Sequence, residues 1–338
     1  MHNETFPAVF TPKDLETDQE VRWCPGCGDY SILKSVQKIL PELGRPKHEF
    51  VFVSGIGCSS RFPYYMNTYG LHSIHGRATS VATGVKLSKP ELSVWVITGD
   101  GDGLSIGGNH LIHTLRRNPD LNILLFNNQI YGLTKGQFSP TSFHGQVTKS
   151  SPMGTADSPL NPLALALGAN ATFVARTLDR DPKHQQEIYK RAYFHKGTSL
   201  VEIYQNCNVF NDGAFDALTN KETKAQNTIF VENGKPLIFD NQTKGIMFQG
   251  LNPVVVSLSA VSENDLWIHD ETDLNKANIL VRFFDTDHLP RPFGIIYVNA
   301  KRETFENEIN DQIIQHKIED KATAFNKLLK SSNSWVVE

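Results

Sequence analysis

Short β-rich runs at Glu49–Val53, Ser93–Thr98, Asn122–Phe126, Thr172–Ala175 and Ser199–Tyr204 alternate with segments whose apolar residues recur at helical spacing, and this alternation constrains the fold most. The helical segments are expected at about Asp29–Pro41, Arg77–Ser88, Leu104–Arg117, Pro162–Leu167 and Pro182–His195. In the first, Ile32, Leu33, Val36, Ile39 and Leu40 make an apolar stripe, and Asp29 is placed to cap the opening turn. Strands that are apolar throughout need cover on both faces. The pattern therefore predicts an α/β fold, a doubly wound, mostly parallel sheet between helical layers. In such a sheet, ligands collect at the carboxyl ends of the strands.

A chain of 338 residues buries a large core without staples and is expected to form one large domain plus an appendage, or two domains. Charged residues make up 20% and the net charge is -3, which favours neither nucleic acid nor an anionic membrane as a partner. No apolar run approaches the roughly 20 residues a membrane helix needs. The polar, acidic start MHNETFPAVFTPKDLETDQE is unlike a signal peptide, so a cytoplasmic location is expected. Tyr131–Asn161 is rich in Gly, Ser, Thr and Pro without a clear period, and reads as a long functional loop. After Phe215 the character changes: Asn220–Gln226 is polar and linker-like, β-like runs follow, and a charged helix is expected near Asn307–Leu329. Residues 1–215 are thus taken as the binding domain, and 216–338 as a C-terminal extension that packs on a partner or covers the site.

The run Ser93–Thr98 passes straight into Gly99-Asp100-Gly101-Asp102-Gly103 and then into a helical segment. Three glycines let the backbone turn tightly and leave N–H groups open to a phosphate at the helix N-terminus. A carboxylate there repels phosphate but can hold a Mg²⁺ that bridges to diphosphate, so Asp100 points to metal plus diphosphate. The next strand ends in Asn127-Asn128-Gln129-Ile130, bringing more oxygen donors to the same edge, with Asn128 standing 28 residues beyond Asp100. The plainer alternative is a glycine-rich turn whose Asp caps a helix, beside an Asn pair that only makes a turn. Together the two motifs resemble the thiamine-diphosphate motif. That resemblance implies Mg²⁺ coordination by Asp100, Asn128 and the backbone carbonyl of Ile130.

Four cysteines are too few for a disulfide scaffold in a chain this long, and in a reducing compartment Cys24-Pro25-Gly26-Cys27 points to metal or redox chemistry. The glycines of this turn can offer N–H groups to sulfur, which stabilises thiolates and raises cluster potentials. Cys58 follows the run Glu49–Val53 and Cys207 follows Ser199–Tyr204, so in a parallel sheet all four thiols reach the edge that carries Asp100. Four thiolates suit either a structural Zn²⁺ or a [4Fe–4S] cluster, and spacing does not separate the two. Taken singly, Cys58 and Cys207 read as ordinary buried thiols.

Residues Val21–Tyr30, Gly55–Ser60, His72–Leu87 and Gly99–Ser142, with Cys207, resemble the beta subunits of 2-oxoacid:ferredoxin oxidoreductases, especially the 2-oxoglutarate type. Beyond residue 215 only Gly234–Leu237 and Phe293–Ile296 are familiar. The resemblance implies a pyrophosphate-type thiamine-diphosphate-binding domain with one [4Fe–4S] cluster on Cys24, Cys27, Cys58 and Cys207. It implies coenzyme A-dependent oxidative decarboxylation of a 2-oxoacid, 2-oxoglutarate to succinyl-CoA, with the electrons passed to ferredoxin. In that family a separate alpha subunit supplies the Glu that activates the aminopyrimidine ring and much of the substrate pocket. No Glu near the motifs here is an obvious candidate, so the chain is expected to be inactive alone, with no catalytic residue of its own. Two alternatives stand beside this reading: a non-oxidative thiamine decarboxylase or synthase with structural zinc, and a non-catalytic electron-transfer or interaction subunit.

Further cofactor-binding candidates sit on loops at the carboxyl edge: Gly57, Cys58, Ser59, Asp102, Leu133 and Thr134, with Gly76, Gly99, Gly101 and Gly132. His75 and Arg77 join them because a neutral His donor and a fixed cation suit diphosphate and carboxylate. Each has a plainer reading, a locally satisfied His and a solvated Arg at a helix start, and His72-x-x-His75 also has the look of a metal pair. His110 and His113 are read as structural.

Overall fold

A computed structural model of the chain describes residues 10–286, 288–318 and 320–330, together with 335 and 337. The first nine residues of the polar start, and Glu319 within the expected C-terminal helix, lie outside the described residues. The strands are β1 (Phe50–Ser54), β2 (Tyr69–His72), β3 (Ser93–Gly99), β4 (Leu121–Asn127), β5 (Phe173–Leu178), β6 (Ser199–Tyr204), β7 (Thr228–Val231), β8 (Ile238–Phe239), β9 (Lys244–Gln249), β10 (Asn252–Ser257) and β11 (Arg291–Val298). Helices α1 (Asp29–Ile39), α2 (Ala78–Ser88), α3 (Asp100–Leu104), α4 (Gly108–Arg117), α5 (Pro162–Gly168) and α6 (Pro182–Phe194) precede the change in composition. After it come α7 (Asp216–Thr219), α8 (Lys224–Asn227), α9 (Leu274–Val281), α10 (Phe305–Gln315) and α11 (Lys321–Leu329).

Eight strands form one sheet in the order β2-β1-β3-β4-β6-β5-β11-β7. The first six of these run parallel, β11 pairs antiparallel with β5, and β7 pairs parallel with β11. Consecutive residues of the central strands serve opposite cores. Val51, Val53, Val94, Val96, Ile123 and Leu125 face one layer with Ala82 of α2, Leu111 and Leu115 of α4, and Leu280 of α9. Phe50, Phe52, Trp95, Ile97, Leu124 and Phe126 face the other with Ile32 and Val36 of α1, and Ile188 and Tyr189 of α6. Both faces are covered, which explains the continuous apolar runs. Two of the helices start at side-chain caps: Asn161 accepts from Ala164 N ahead of α5, and Asp181 accepts from His184 N ahead of α6, each followed by proline.

Several boundaries differ from the expectation. Leu104–Arg117 is not one helix, because Ser105 leaves helical geometry at φ -87 and ψ -106 and separates α3 from α4. The polar stretch Asn220–Gln226 is not a simple linker, since it turns into α8 and lies close after α7. The charged C-terminal helix is two helices, α10 and α11. Strand β2, not among the expected strands, is four residues long and exposed along its length, with Tyr69 and Leu71 the apolar residues of one face. The segment after residue 215 adds β7 and β11 to the main sheet and forms a separate three-stranded sheet, β10-β9-β8. Among the described residues, no helix is long and apolar enough to cross a membrane.

Candidate functional site

The carboxyl ends of β1, β3, β4 and β6 enclose a cavity of about 500 Å³, within the range of small-molecule and cofactor sites. Strand β3 runs directly into α3, which places Asp100 at the junction with only 2% of its surface exposed. Ser139 Oγ donates to its Oδ2 at 2.5 Å. Thr141 Oγ1 lies 2.6 Å from the same oxygen and 2.9 Å from Asn127 Oδ1, so its single proton serves one or the other. Both hydroxyls come from the long loop after β4, which folds back over the motif. Burial pushes the Asp100 carboxyl pKa up, against the lowering effect of these donors.

Opposite Asp100, β4 ends in a tight turn in which Gln129 adopts the left-handed region at φ 57. The turn brings Ile130 N to 3.2 Å from Asn128 Oδ1, while Asn128 Nδ2 donates to Gln205 Oε1 at 2.9 Å. Asn127 anchors the strand end from below by donating to Glu202 Oε1 at 2.7 Å, and Glu202 is itself paired with the fully buried Arg176. The Tyr131 hydroxyl donates to Gly101 O at 2.9 Å, and its ring approaches so closely that a Cβ on residue 101 would lie 2.3 Å from it. Only glycine fits there.

Asp102 has a different role from Asp100. Its Oδ1 accepts from Ile56 N at 3.0 Å, Gly76 N at 2.7 Å and His75 Nδ1 at 2.7 Å, and its Oδ2 accepts from Thr98 Oγ1 at 2.6 Å. The carboxylate clamps the loops after β1 and β2 to the glycine turn. It also requires the His75 proton on Nδ1, which fixes that ring's tautomer. Gly57, Ser59, Gly99, Leu133 and Thr134 line the same cavity. Gly76 is held behind it, at φ 69, by the contact with Asp102. Arg77 is not among the lining residues: it precedes α2 and donates to the His75 carbonyl at 2.8 Å. The His72 and His75 rings go separate ways, His72 Nδ1 lying 2.8 Å from Ser60 O, so they form no metal pair. His110 and His113 lie on α4 outside the cavity.

Two of the thiols approach one another at one end of this cavity. A Cβ built on Gly132 would lie 3.6 Å from both Cys58 Sγ and Cys207 Sγ, so the two sulfurs flank this glycine. Cys27 Sγ accepts from Gln205 Nε2 at 3.3 Å, and Cys24 is the exposed member of the set. Burial, then the charge of Asp29, push the Cys58 thiol up to about 12, with Cys207 and Cys24 also contributing. The Cys27 thiol is pushed up for the same first two reasons. Without a metal both are neutral, and loading a metal releases their protons. Trp23 Nε1 donates to Cys58 O at 2.7 Å, tying the Cys24–Cys27 turn to the loop after β1.

One residue of this site departs from the expectation of a helix cap. Asp29 caps nothing: Gly28 occupies the cap position, and the Asp29 side chain is 1% exposed in the cavity wall, with no N–H or hydroxyl group donating to either carboxylate oxygen. Burial, then the charge of Asp179, push its pKa up to about 7, which the Cys27 thiol only partly offsets. An acid with a raised folded-state pKa costs stability as pH rises from 3.8 through about 7, and the whole cost is present above that range. Asp29→Asn is therefore expected to stabilise the metal-free chain near pH 8 by something on the order of 4 kcal/mol at most, and to change it little near pH 4. Thermal melts at the two pH values check this; equal shifts at both would contradict it.

A family model described as thiamine pyrophosphate enzyme, C-terminal TPP binding domain, matches residues 55–203. The chain is 49% identical over 331 residues to the 2-oxoglutarate oxidoreductase subunit KorB of Mycobacterium tuberculosis, covering 96% of this chain and 88% of that one. It is 37% identical over 298 residues to 2-oxoacid:ferredoxin oxidoreductase 2, subunit beta, of Aeropyrum pernix, covering 88% of this chain and 86% of the other. Among solved structures it is similar to the 2-oxoglutarate:ferredoxin oxidoreductase from Magnetococcus marinus with 2-oxoglutarate, coenzyme A and succinyl-CoA bound, at a TM-score of 0.77 and 32% identity, over 96% of this chain and 97% of that chain. Because the likeness runs through the C-terminal segment as well as the cofactor cavity, the chain belongs to the beta subunits of the 2-oxoacid:ferredoxin oxidoreductases.

Proposed function

We propose that this chain is the beta subunit of a cytoplasmic 2-oxoglutarate:ferredoxin oxidoreductase. With an alpha subunit it converts 2-oxoglutarate and coenzyme A to succinyl-CoA and CO₂, and two electrons leave one at a time through a [4Fe–4S] cluster to ferredoxin. The observation that carries the reading is the charge of the cavity. Asp29, Asp100 and Asp102 line it, and among the described residues no Lys or Arg does. A diphosphate entering such a wall needs a divalent cation to bridge it to the carboxylates. Asp100, Asn128 and the Ile130 carbonyl are the residues for that cation, and their placement on facing loops supports the assignment. His75, with its tautomer set by Asp102, supplies a polar contact at the rim.

Thiamine diphosphate, when bound, supplies the carbanion chemistry that lets a 2-oxoacid lose CO₂. The protein's part is to hold the diphosphate end, keep the thiols adjacent and leave the cavity open for a partner. We assign the cluster to Cys24, Cys27, Cys58 and Cys207. The sulfurs of Cys58 and Cys207 on either side of Gly132, together with the likeness to beta subunits of ferredoxin-linked oxidoreductases, favour iron over zinc. 2-Oxoglutarate as the substrate rests on the names of the relatives. A neighbouring pocket shares Ile56, Gly57 and Leu133 with the cavity and carries Arg61 as well as Arg22, the latter paired with Glu20 at 2.8 Å, so Arg61 is the cation it offers to a substrate carboxylate. Residues 1–215 then hold both cofactors. Residues 216–338 close the sheet and offer Ile313, Ile314, Phe325 and Leu328, all exposed, for packing on the partner subunit.

The test is anaerobic co-purification with the alpha subunit, metal analysis, and viologen reduction with several oxoacids. About four irons per chain are expected, with coenzyme A-dependent activity greatest on 2-oxoglutarate and none from this chain alone. Zinc in place of iron, or full activity of the single chain, would overturn the proposal.

A further inference from the structure

Gln205 leaves the end of β6 and stands between the two parts of the site, with 1% of its surface exposed. The orientation of its amide is set by its neighbours. Nε2 donates to the Asn206 carbonyl at 2.5 Å and to Cys27 Sγ at 3.3 Å, and Oε1 accepts from Asn128 Nδ2 at 2.9 Å. A flipped amide would set oxygen against carbonyl oxygen and N–H against N–H, so only one orientation satisfies all three contacts.

Two consequences follow for the flanking residues. Asn128 has its N–H engaged by Gln205, which leaves its Oδ1 on the side where Ile130 N donates and where the cation is assigned. Cys27 receives the positive end of an N–H dipole, and such a contact stabilises the more electron-rich state of a cluster and raises its potential. The two ends are joined by one conjugated amide. A cation on Asn128 Oδ1 makes Nδ2–H a stronger donor to Gln205 Oε1, which in turn makes Gln205 Nε2–H a stronger donor to sulfur.

We propose that Gln205 is a positioning residue that couples the two cofactors: it aims the Asn128 oxygen at the divalent cation and transmits cofactor occupancy to the cluster through its hydrogen bond to Cys27. This rests on the cofactor reading proposed above. Binding of Mg²⁺–thiamine diphosphate then raises the cluster potential, and by reciprocity reduction of the cluster tightens cofactor binding.

The experiment is an EPR-monitored redox titration of the complete complex, with and without Mg²⁺ and thiamine diphosphate, beside calorimetric titration of the cofactor. In the unmodified protein the potential should move positive when the cofactor binds. Gln205→Met removes both donor and acceptor, so the resting potential falls, the cofactor-linked shift is lost, and cofactor affinity drops by about tenfold or more. Gln205→Glu, held in its acid form at this buried position, keeps an acceptor for Asn128 and gives its single O–H to the Asn206 carbonyl, the shorter contact, which leaves sulfur without a donor. It should return affinity to within about threefold of the unmodified protein while the potential stays low and unlinked, a split that general loosening of the site would not give. A cofactor-linked shift that persists undiminished in either variant acts through space and overturns the coupling. Metal analysis of the same samples separates the two levels: protein without iron defeats the cluster reading and this inference with it, whereas iron-loaded protein whose potential ignores residue 205 defeats the inference alone.

Discussion

Asp100→Asn is expected to abolish Mg²⁺-dependent binding of thiamine diphosphate while leaving the chain folded. The substitution keeps the size of the side chain, and the amide oxygen can still accept from Ser139 and Thr141, so the loop after β4 keeps its anchor. What disappears is the buried charge. Burial raises the Asp100 pKa in the metal-free fold, so the ionised carboxylate costs stability above the folded-state pKa, and that cost fades as pH falls toward the ordinary carboxylate range. Metal-free Asp100→Asn should thus melt no lower than the unmodified chain near neutral pH. The cation, however, loses its one negatively charged ligand. An affinity loss of about 100-fold or more is expected, equivalent to about 2.7 kcal/mol. Adding Mg²⁺ and thiamine diphosphate should raise the melting temperature of the unmodified chain by mass action and leave that of the variant unmoved. A variant that retained most of the cofactor-induced shift would place the cation elsewhere.

This asymmetry between a charge that is costly empty and useful when occupied was legible in part. Gly99–Gly103 announced itself because a carboxylate among glycines at the end of an apolar run is a local pattern, and Asn128 could be found because β4 adjoins β3. The central strands were legible within a residue or two, since burial on both faces leaves continuous apolar runs. Ser139 and Thr141 were not foreseen as partners of Asp100, 39 and 41 residues away, because hydroxyls in a loop carry no spacing that marks their target. Gln205 was missed for the same reason, its partner Cys27 lying 178 residues distant. Asp29 at a helix start has the look of a cap, and only the fold shows its oxygens buried with no N–H or hydroxyl group donating to them. The same limit hid β7 and β11: their pairing with each other and with β5 depends on contacts far apart in the chain, while their local composition gives only a short β-like run.

Cys58→Ser should remove the iron and silence electron transfer while sparing cofactor binding. Cys58 sits where β1 gives way to a short 3₁₀ turn, its carbonyl held by Trp23 and its sulfur beside Gly132 and near Cys207. Its thiol, pushed up to about 12 chiefly by burial, becomes a ligand only when a bound metal compensates the buried negative charge. A serine hydroxyl gives up its proton far less readily than a thiol and matches iron less well than a soft thiolate does, so the cluster loses one of four anchors. Iron content and visible absorbance should fall sharply in anaerobically prepared complex, and viologen reduction should drop to background. Asp100, Asn128 and the glycine turn are untouched by the change, so Mg²⁺-dependent binding of thiamine diphosphate should persist within about tenfold, the residual loss reflecting coupling between the two sites. The contrast with Asp100→Asn is what gives the pair of experiments force: one variant should keep iron and lose the diphosphate, the other should keep the diphosphate and lose iron. If Cys58→Ser retained a full complement of iron, the four-thiol assignment would fail even with the thiamine site intact.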